Sequence, residues 1–148
     1  MKAGAAAVDV RVFELLRADP TLASLVPGGL YRDIAPEAVI DTTEPDAAGN
    51  VFGVLASEGR LFASFCDAQG LELITYDLQY AAPATHSAFA QQASERAAEL
   101  LAGLVGESLG DGWTIMSSRL LQRLPRDIPD SPLRWSARLL RWELWAAR

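Results

Sequence analysis

Cysteine and histidine are almost absent from this chain, which holds one of each, Cys66 and His86, in 148 residues. One cysteine excludes an internal disulfide and any cysteine-based metal cluster. Nucleophilic use of Cys66 would need a base beside it. His86 sits instead at the head of an amphipathic segment, where Ala84-Thr85-His86-Ser87 reads as a helix cap with Thr85 or Ser87 accepting from the first free amides. Cys66 is then a loop or interface thiol. No apolar run is long enough to span a bilayer as a helix, so no membrane partner is expected. Asp9 and Arg11 interrupt the small residues of the start before a signal-peptide core can form, which implies a frayed helix start and synthesis in the cytoplasm. A glycine-rich phosphate loop is missing, as are paired polar residues at catalytic spacing. The carboxylates Asp33, Glu37, Asp41, Glu44 and Asp46 match no calcium-loop spacing and read as a solvated acidic loop. The residues themselves therefore offer no catalytic, cofactor-binding or metal-binding site.

What is present is ordinary globular material: 50% apolar residues and 22% charged, in a length that suits one domain covering residues 1–148. Charge is unevenly spread. Residues 1–112 hold six basic and sixteen acidic side chains (−10), whereas 113–148 hold seven and three (+4), every base among them an arginine. No aromatic-basic motif or lysine cluster accompanies these arginines, so sequence-specific nucleic-acid binding is not expected. Two readings stay open: basic strands pairing with acidic ones inside one sheet, or opposite charges meeting between subunits of a head-to-tail assembly.

The strongest pattern is the helix predicted from Ser87 to Leu104, whose Phe89, Ala93, Ala97, Leu100, Leu101 and Leu104 form one apolar stripe opposite Gln92, Glu95, Arg96 and Glu99. A first helix from Ala5 to Arg17 places Val8, Val12, Leu15 and Leu16 on one side, and Asp19-Pro20 stops it. Strands are expected at Leu30-Tyr31-Arg32, Val51–Ala56, Leu71–Tyr80, Trp113–Leu124 and Leu133–Trp145. Glu58-Gly59-Arg60 reads as a turn, after which Leu61, Phe62 and Phe65 form either a long hairpin arm or a patch covered by a neighbouring subunit. Apolar parity shifts within Leu71–Tyr80, which asks for a bulge near Leu73 and Ile74. A second shift between Leu139 and Leu140 asks for a bulge or for burial of both faces, the latter expected only in an oligomer. Three prolines between Pro125 and Pro132 imply a loop where ladder pairing ends. The fold class is α+β: a mostly antiparallel four- to five-stranded sheet with two main helices packed on one face.

This order, and the wording of Val12-Phe13-Glu14-Leu15-Leu16-Arg17-Ala18-Asp19, Leu22-Ala23-Ser24-Leu25-Val26, Gly29-Leu30-Tyr31, Leu73–Tyr80, Glu95-Arg96-Ala97-Ala98 and Arg134-Trp135-Ser136-Ala137-Arg138 to Trp142, resembles the tail-terminator (tail-completion) family of long-tailed bacteriophages and gene transfer agents. The resemblance covers most of the chain and rests on patterned stretches rather than a catalytic signature. It implies a non-enzymatic structural virion protein without cofactors. Its subunits would form a hexameric ring that caps the tail tube and meets the neck or head-completion protein, with DNA passing through the lumen. The partners expected are therefore further copies of the chain, the tail tube protein and the neck protein. The place is the virion at the head-tail junction, reached from the host cytoplasm. Another head-completion or neck adaptor is the alternative, followed by a small α+β ligand-binding or enzymatic domain. The residues expected at the subunit interface are Leu61, Phe62, Phe65, Arg126, Arg134 and Arg138.

Overall fold

Val8, Val12 and Leu16 recur at intervals of four and are all buried, which is why Ala3–Ala18 forms a helix (α1) lying flat on the rest of the protein in this computed structural model. The structure describes residues 3–36, 51–64, 70–110, 112–128 and 135–148. Asp19 ends α1 and starts α2 (Pro20–Leu25). Its carboxylate accepts from Leu22 N at 3.0 Å, and Pro20 takes the first helical position, where no amide is missed. Five strands follow, β1 (Leu30–Arg32), β2 (Phe52–Ser64), β3 (Gly70–Pro83), β4 (Thr114–Ile128) and β5 (Trp135–Ala147), with helix α3 (Ser87–Ala102) between β3 and β4. They make one sheet in the order β1-β2-β3-β5-β4, antiparallel except for the short β1–β2 pair. The expected fold class holds, with α1, α2 and α3 contributing to one core. Among the described residues no helix is long and apolar enough to cross a membrane.

That core is a layer of small helix side chains on large sheet side chains. Helix α3 turns Ala90, Ala93, Ala97 and Leu101 inward against β3 and β5, whose inward positions include Ile74, Tyr76, Leu78 and Tyr80, and Leu140, Trp142 and Leu144. Alanines let the helix approach closely, and the aromatic rings fill the space between the layers. Of the expected stripe, Leu101 and Leu104 are buried, whereas Phe89 and Leu100 are only half-buried; Ala90 and Ser94 are buried in addition. The end of α3 is tied to the sheet by a relay in which Trp142 Nε1 donates to Ser118 Oγ (2.7 Å) and Ser118 Oγ donates to Leu101 O (2.6 Å). One of the carbonyls that a helix end leaves unpaired is thereby satisfied.

Several expectations are corrected. Glu58-Gly59-Arg60 is not a turn: β2 runs through it, with Gly59 opposite Ile74, so the hairpin arm is long. The bulge expected near Leu73 and Ile74 does not exist, because β3 pairs with β5 without interruption from Leu71 to Pro83. Parity is kept by Glu72, which takes the inward position and is 2% exposed, while Leu71 and Leu73 are only half-buried. Irregular register occurs on β2 between Leu61 and Ala63, and on β4 between Ile115 and Ser117 and between Leu120 and Gln122. Pairing also continues through Pro125, opposite Arg138. β4 is an edge strand, where a residue without an N–H is tolerated. The parity shift in β5 is burial of both faces, within a single subunit. Leu140, Trp142, Leu144 and Ala146 join the helix-side core, whereas Trp135 and Ala137 join Ala35, Phe52 and Ala81 in a second cluster. The cap expected at α3 also differs: a 3₁₀ turn, Ala84–His86, leads into the helix, and its N-cap residue, His86, makes no side-chain cap bond.

Candidate functional site

With all three helices on one side, the opposite face of the sheet is where surface is left for other molecules. Register assigns its residues. Phe52, Ala81, Ala137 and Arg126 align across the sheet, followed by Val54, Gln79, Leu139 and Leu124, and then by Ala56, Asp77, Arg141 and Gln122. The first row is closed by the second apolar cluster, where Phe52 and Trp135 meet edge to face with ring centroids 5.3 Å apart. Ile34 is 78% exposed at the same end. Ile34, Ala35, Phe52, Val54, Trp135 and Leu139 line a shallow cavity of about 330 Å³, with Asp77, Gln79 and Arg126 at its polar rim. A neighbouring hollow of about 480 Å³ continues along Ala56, Glu58, Leu73, Thr75, Asp77 and Arg141. Together they form a trough running along β2, β3 and β5.

Part of the charge on this face is paired within the sheet. Arg141 donates to both carboxylate oxygens of Asp77, at 2.8 and 3.1 Å, directly across β5 and β3. This fork-to-fork contact raises the Arg141 pKa above its ordinary value. Arg119 donates to Glu143 at 3.0 Å across β4 and β5, and Trp145 Nε1 donates to the same carboxylate oxygen at 3.0 Å. Two of the C-terminal arginines are thus partners of acidic residues within the sheet, one of the two readings open from the sequence. Arg123 and Arg126 are exposed and make no ion pair among the described residues. No cluster of three or more His, Cys, Asp or Glu side chains able to hold a metal occurs among the described residues. The trough is therefore an apolar floor crossed by the Asp77–Arg141 ion pair, with Arg126 at its rim.

The residues expected at an interface are dispersed. Arg126 lies on the trough face, but Arg138, in register with Tyr80 and Pro125, belongs to the opposite face and donates to Ala137 O at 3.0 Å. The backbone of Leu61 and Phe62 lies in β2, at the far end of the hairpin from the trough cavity. Phe65 and Arg134 lie outside the described residues. Met116, Leu121 and Leu124, exposed apolar side chains on β4, do not stand out in the sequence. The adjacent pair Leu120-Leu121, which breaks strand alternation, is the signal that could have found one of them.

No family model matches the chain, and neither does any curated protein. Solved structures do share the architecture. One is a chain described as "Virion of native gene transfer agent (GTA) particle", with a TM-score of 0.68 and 18% identity over 98% of this chain and 99% of that one. At that identity, what the likeness establishes is the fold.

Proposed function

We propose that this chain is a structural virion protein of the tail-terminator type. It would close the end of a tail tube as a ring of six copies and join it to the neck, with DNA passing through the lumen. One observation carries the reading: the whole fold, end to end, superposes on a chain of a gene transfer agent virion, in a sequence whose order and wording resemble the same class. Physical chemistry is compatible. A ring of identical subunits needs two different faces on each, and this sheet ends in two unlike strands, β1 with β2 on one side and β4 on the other. A net charge of −6 keeps the body from gripping a passing polyanion. Leu61, Phe62, Phe65, Arg126, Arg134 and Arg138 are the side chains proposed to meet neighbouring copies. The protein would be made in the host cytoplasm and end at the head-tail junction.

Light scattering of the purified protein, alone and with isolated tail tubes, tests the reading. A closed ring of fixed mass on tube ends is expected, and a monomer that ignores tubes refutes it. The structural neighbour belongs to a gene transfer agent virion, a setting that also fits one rival, a head-completion or neck adaptor. Co-sedimentation with filled heads rather than with tails would decide for that rival.

A further inference from the structure

Counting where the backbone hydrogen bonds go shows two lengths of strand that, among the described residues, are laddered on one side only. At one end of the sheet the turn after α3 covers the start of β4: Ile115 N donates to Glu107 O at 3.0 Å, and Gly106 N donates to Ile115 O at 2.7 Å. From Met116 to Ile128, among the described residues, the backbone of β4 is laddered to β5 alone. At the other end, Gly28–Asp33 covers the start of β2. Gly28 N donates to Val51 O (2.8 Å), Gly53 N to Gly29 O (2.9 Å) and Asp33 N to Leu55 O (3.0 Å). From Ala56 to Ser64, among the described residues, β2 is laddered to β3 alone.

Natural edges are blunted by charges, proline and bulges, and β4 has all three. Its bulge positions, however, hold Met116 and Leu121, 58% and 42% exposed, and Leu124 is 39% exposed beside them. A lysine there would repel a second strand; an apolar side chain gives it something to pack on. Charge does not oppose the pairing: Arg123 and Arg126 on the open part of β4 make no ion pair among the described residues, and Ala56–Ser64 carries one acid, Glu58, and one base, Arg60.

We infer that these two edges pair with each other between copies of this chain, β4 of one subunit lying along Ala56–Ser64 of the next, so that the sheet runs on from subunit to subunit. The contact is heterologous because the two edges differ, and closing it into a ring removes both edges. This rests on the ring reading above for the association of like copies, and adds which main-chain groups meet.

Amide hydrogen exchange of the full-length wild type, compared between dilute monomer and the assembled sample whose mass is read by light scattering, tests it. On assembly, exchange should slow about tenfold or more in both 56–64 and 116–128, while the middle of α3 is unchanged. The double variant Met116→Lys with Leu121→Lys should lower the assembled fraction about tenfold at equal concentration, with circular dichroism and melting as in the wild type. Assembly with protection of only one edge means that something other than the opposite edge occupies it, and overturns the inference. Assembly with neither edge protected also overturns it and leaves the ring reading standing. A chain that never assembles, alone or on tail tubes, removes the ring reading and the inference together.

Discussion

Adding one methyl group at Gly53 tests whether the aromatic layer of the core is as tightly set as its distances imply. Gly53 on β2 lies opposite Tyr80 on β3, and a Cβ there would stand 2.7 Å from Tyr80 Cε1, 2.9 Å from Cδ1 and 3.0 Å from Leu30 Cδ1. Carbon atoms prefer about 3.5 to 4 Å, so the ring would have to retreat by close to 1 Å. Tyr80 is 2% exposed, so its ring can retreat only by displacing its neighbours or into the hollow of about 450 Å³ that it lines with Leu22, Val26 and Leu30. Overpacking of this kind costs about 1 to 3 kcal/mol. The backbone of Gly53 is not at positive φ, so alanine restricts the unfolded chain without native strain and returns about 0.4 to 1 kcal/mol. The net loss expected for Gly53→Ala is about 0.5 to 2.5 kcal/mol, a fall in Tm of roughly 1 to 10 °C for a chain of this size. Urea unfolding followed by circular dichroism measures it, the midpoint moving while the slope stays constant. The specific claim is that Tyr80 is the obstacle. In a Tyr80→Leu background, which shortens the facing side chain, Gly53→Ala should be close to neutral, leaving a coupling of about 0.5 kcal/mol or more. Equal losses in both backgrounds, or a Gly53→Ala protein as stable as the wild type, would refute the reasoning.

Three further outcomes follow from the geometry. Ser118→Ala removes the middle of the relay between Trp142 and Leu101 and leaves a buried indole N–H without an acceptor, at a cost of about 1 to 3 kcal/mol read by thermal unfolding; an unchanged Tm would mean that the relay contributes nothing. Asp19 accepts from Arg96 at 2.8 and 3.1 Å and from Leu22 N, which hold its carboxyl below the usual range. Its contribution is therefore complete above the unfolded pKa of about 4 and disappears as pH falls through the lowered folded value. The stability gap between wild type and Asp19→Asn should accordingly be constant near neutrality and close in acid, and a gap that widens in acid has the wrong sign. Glu72 is buried with Oε2 unbonded, so Glu72→Met should raise the urea midpoint by about 1 kcal/mol equivalent. A lowered midpoint would show that the carboxylate has a stabilising role.

Elements with strong periodicity are legible in the residues alone. Helices α1 and α3 follow from apolar spacing, the break at Asp19-Pro20 from proline chemistry, and the one-sided packing from the single wet face of each helix. What escapes such a reading is decided by partners distant in sequence. Glu58-Gly59-Arg60 has turn composition, yet its pairing is imposed by β3 on the same hairpin. Pro125 looks like a strand end until β4 proves to be an edge. A glutamate at an inward position, Glu72, cannot be told from a bulge by alternation alone. The interface residues are scattered for the same reason. Arg126 and Arg138 are close in one hairpin, and only the register between β4 and β5 shows that they belong to opposite faces. Asp77 and Arg141 are 64 positions apart, and nothing local announces that they are one ion pair.

The strand order also has a consequence for the time at which the sheet can exist. β5 follows β4 along the chain but lies between β3 and β4, and β4 has no strand to join until β5 is in place. A nascent chain leaving the ribosome can therefore form the β2–β3 hairpin and lay α1 and α3 against it, but β4 must wait as an unpaired ribbon with its apolar residues uncovered. Only when β5 emerges do two half-sheets become one, and the Trp142–Ser118–Leu101 relay closes in the same event. The order of folding is thus written into the sheet: because Thr114 pairs with Ala147 and Ile128 with Trp135, β4 is covered along its full length only once all of β5 is available.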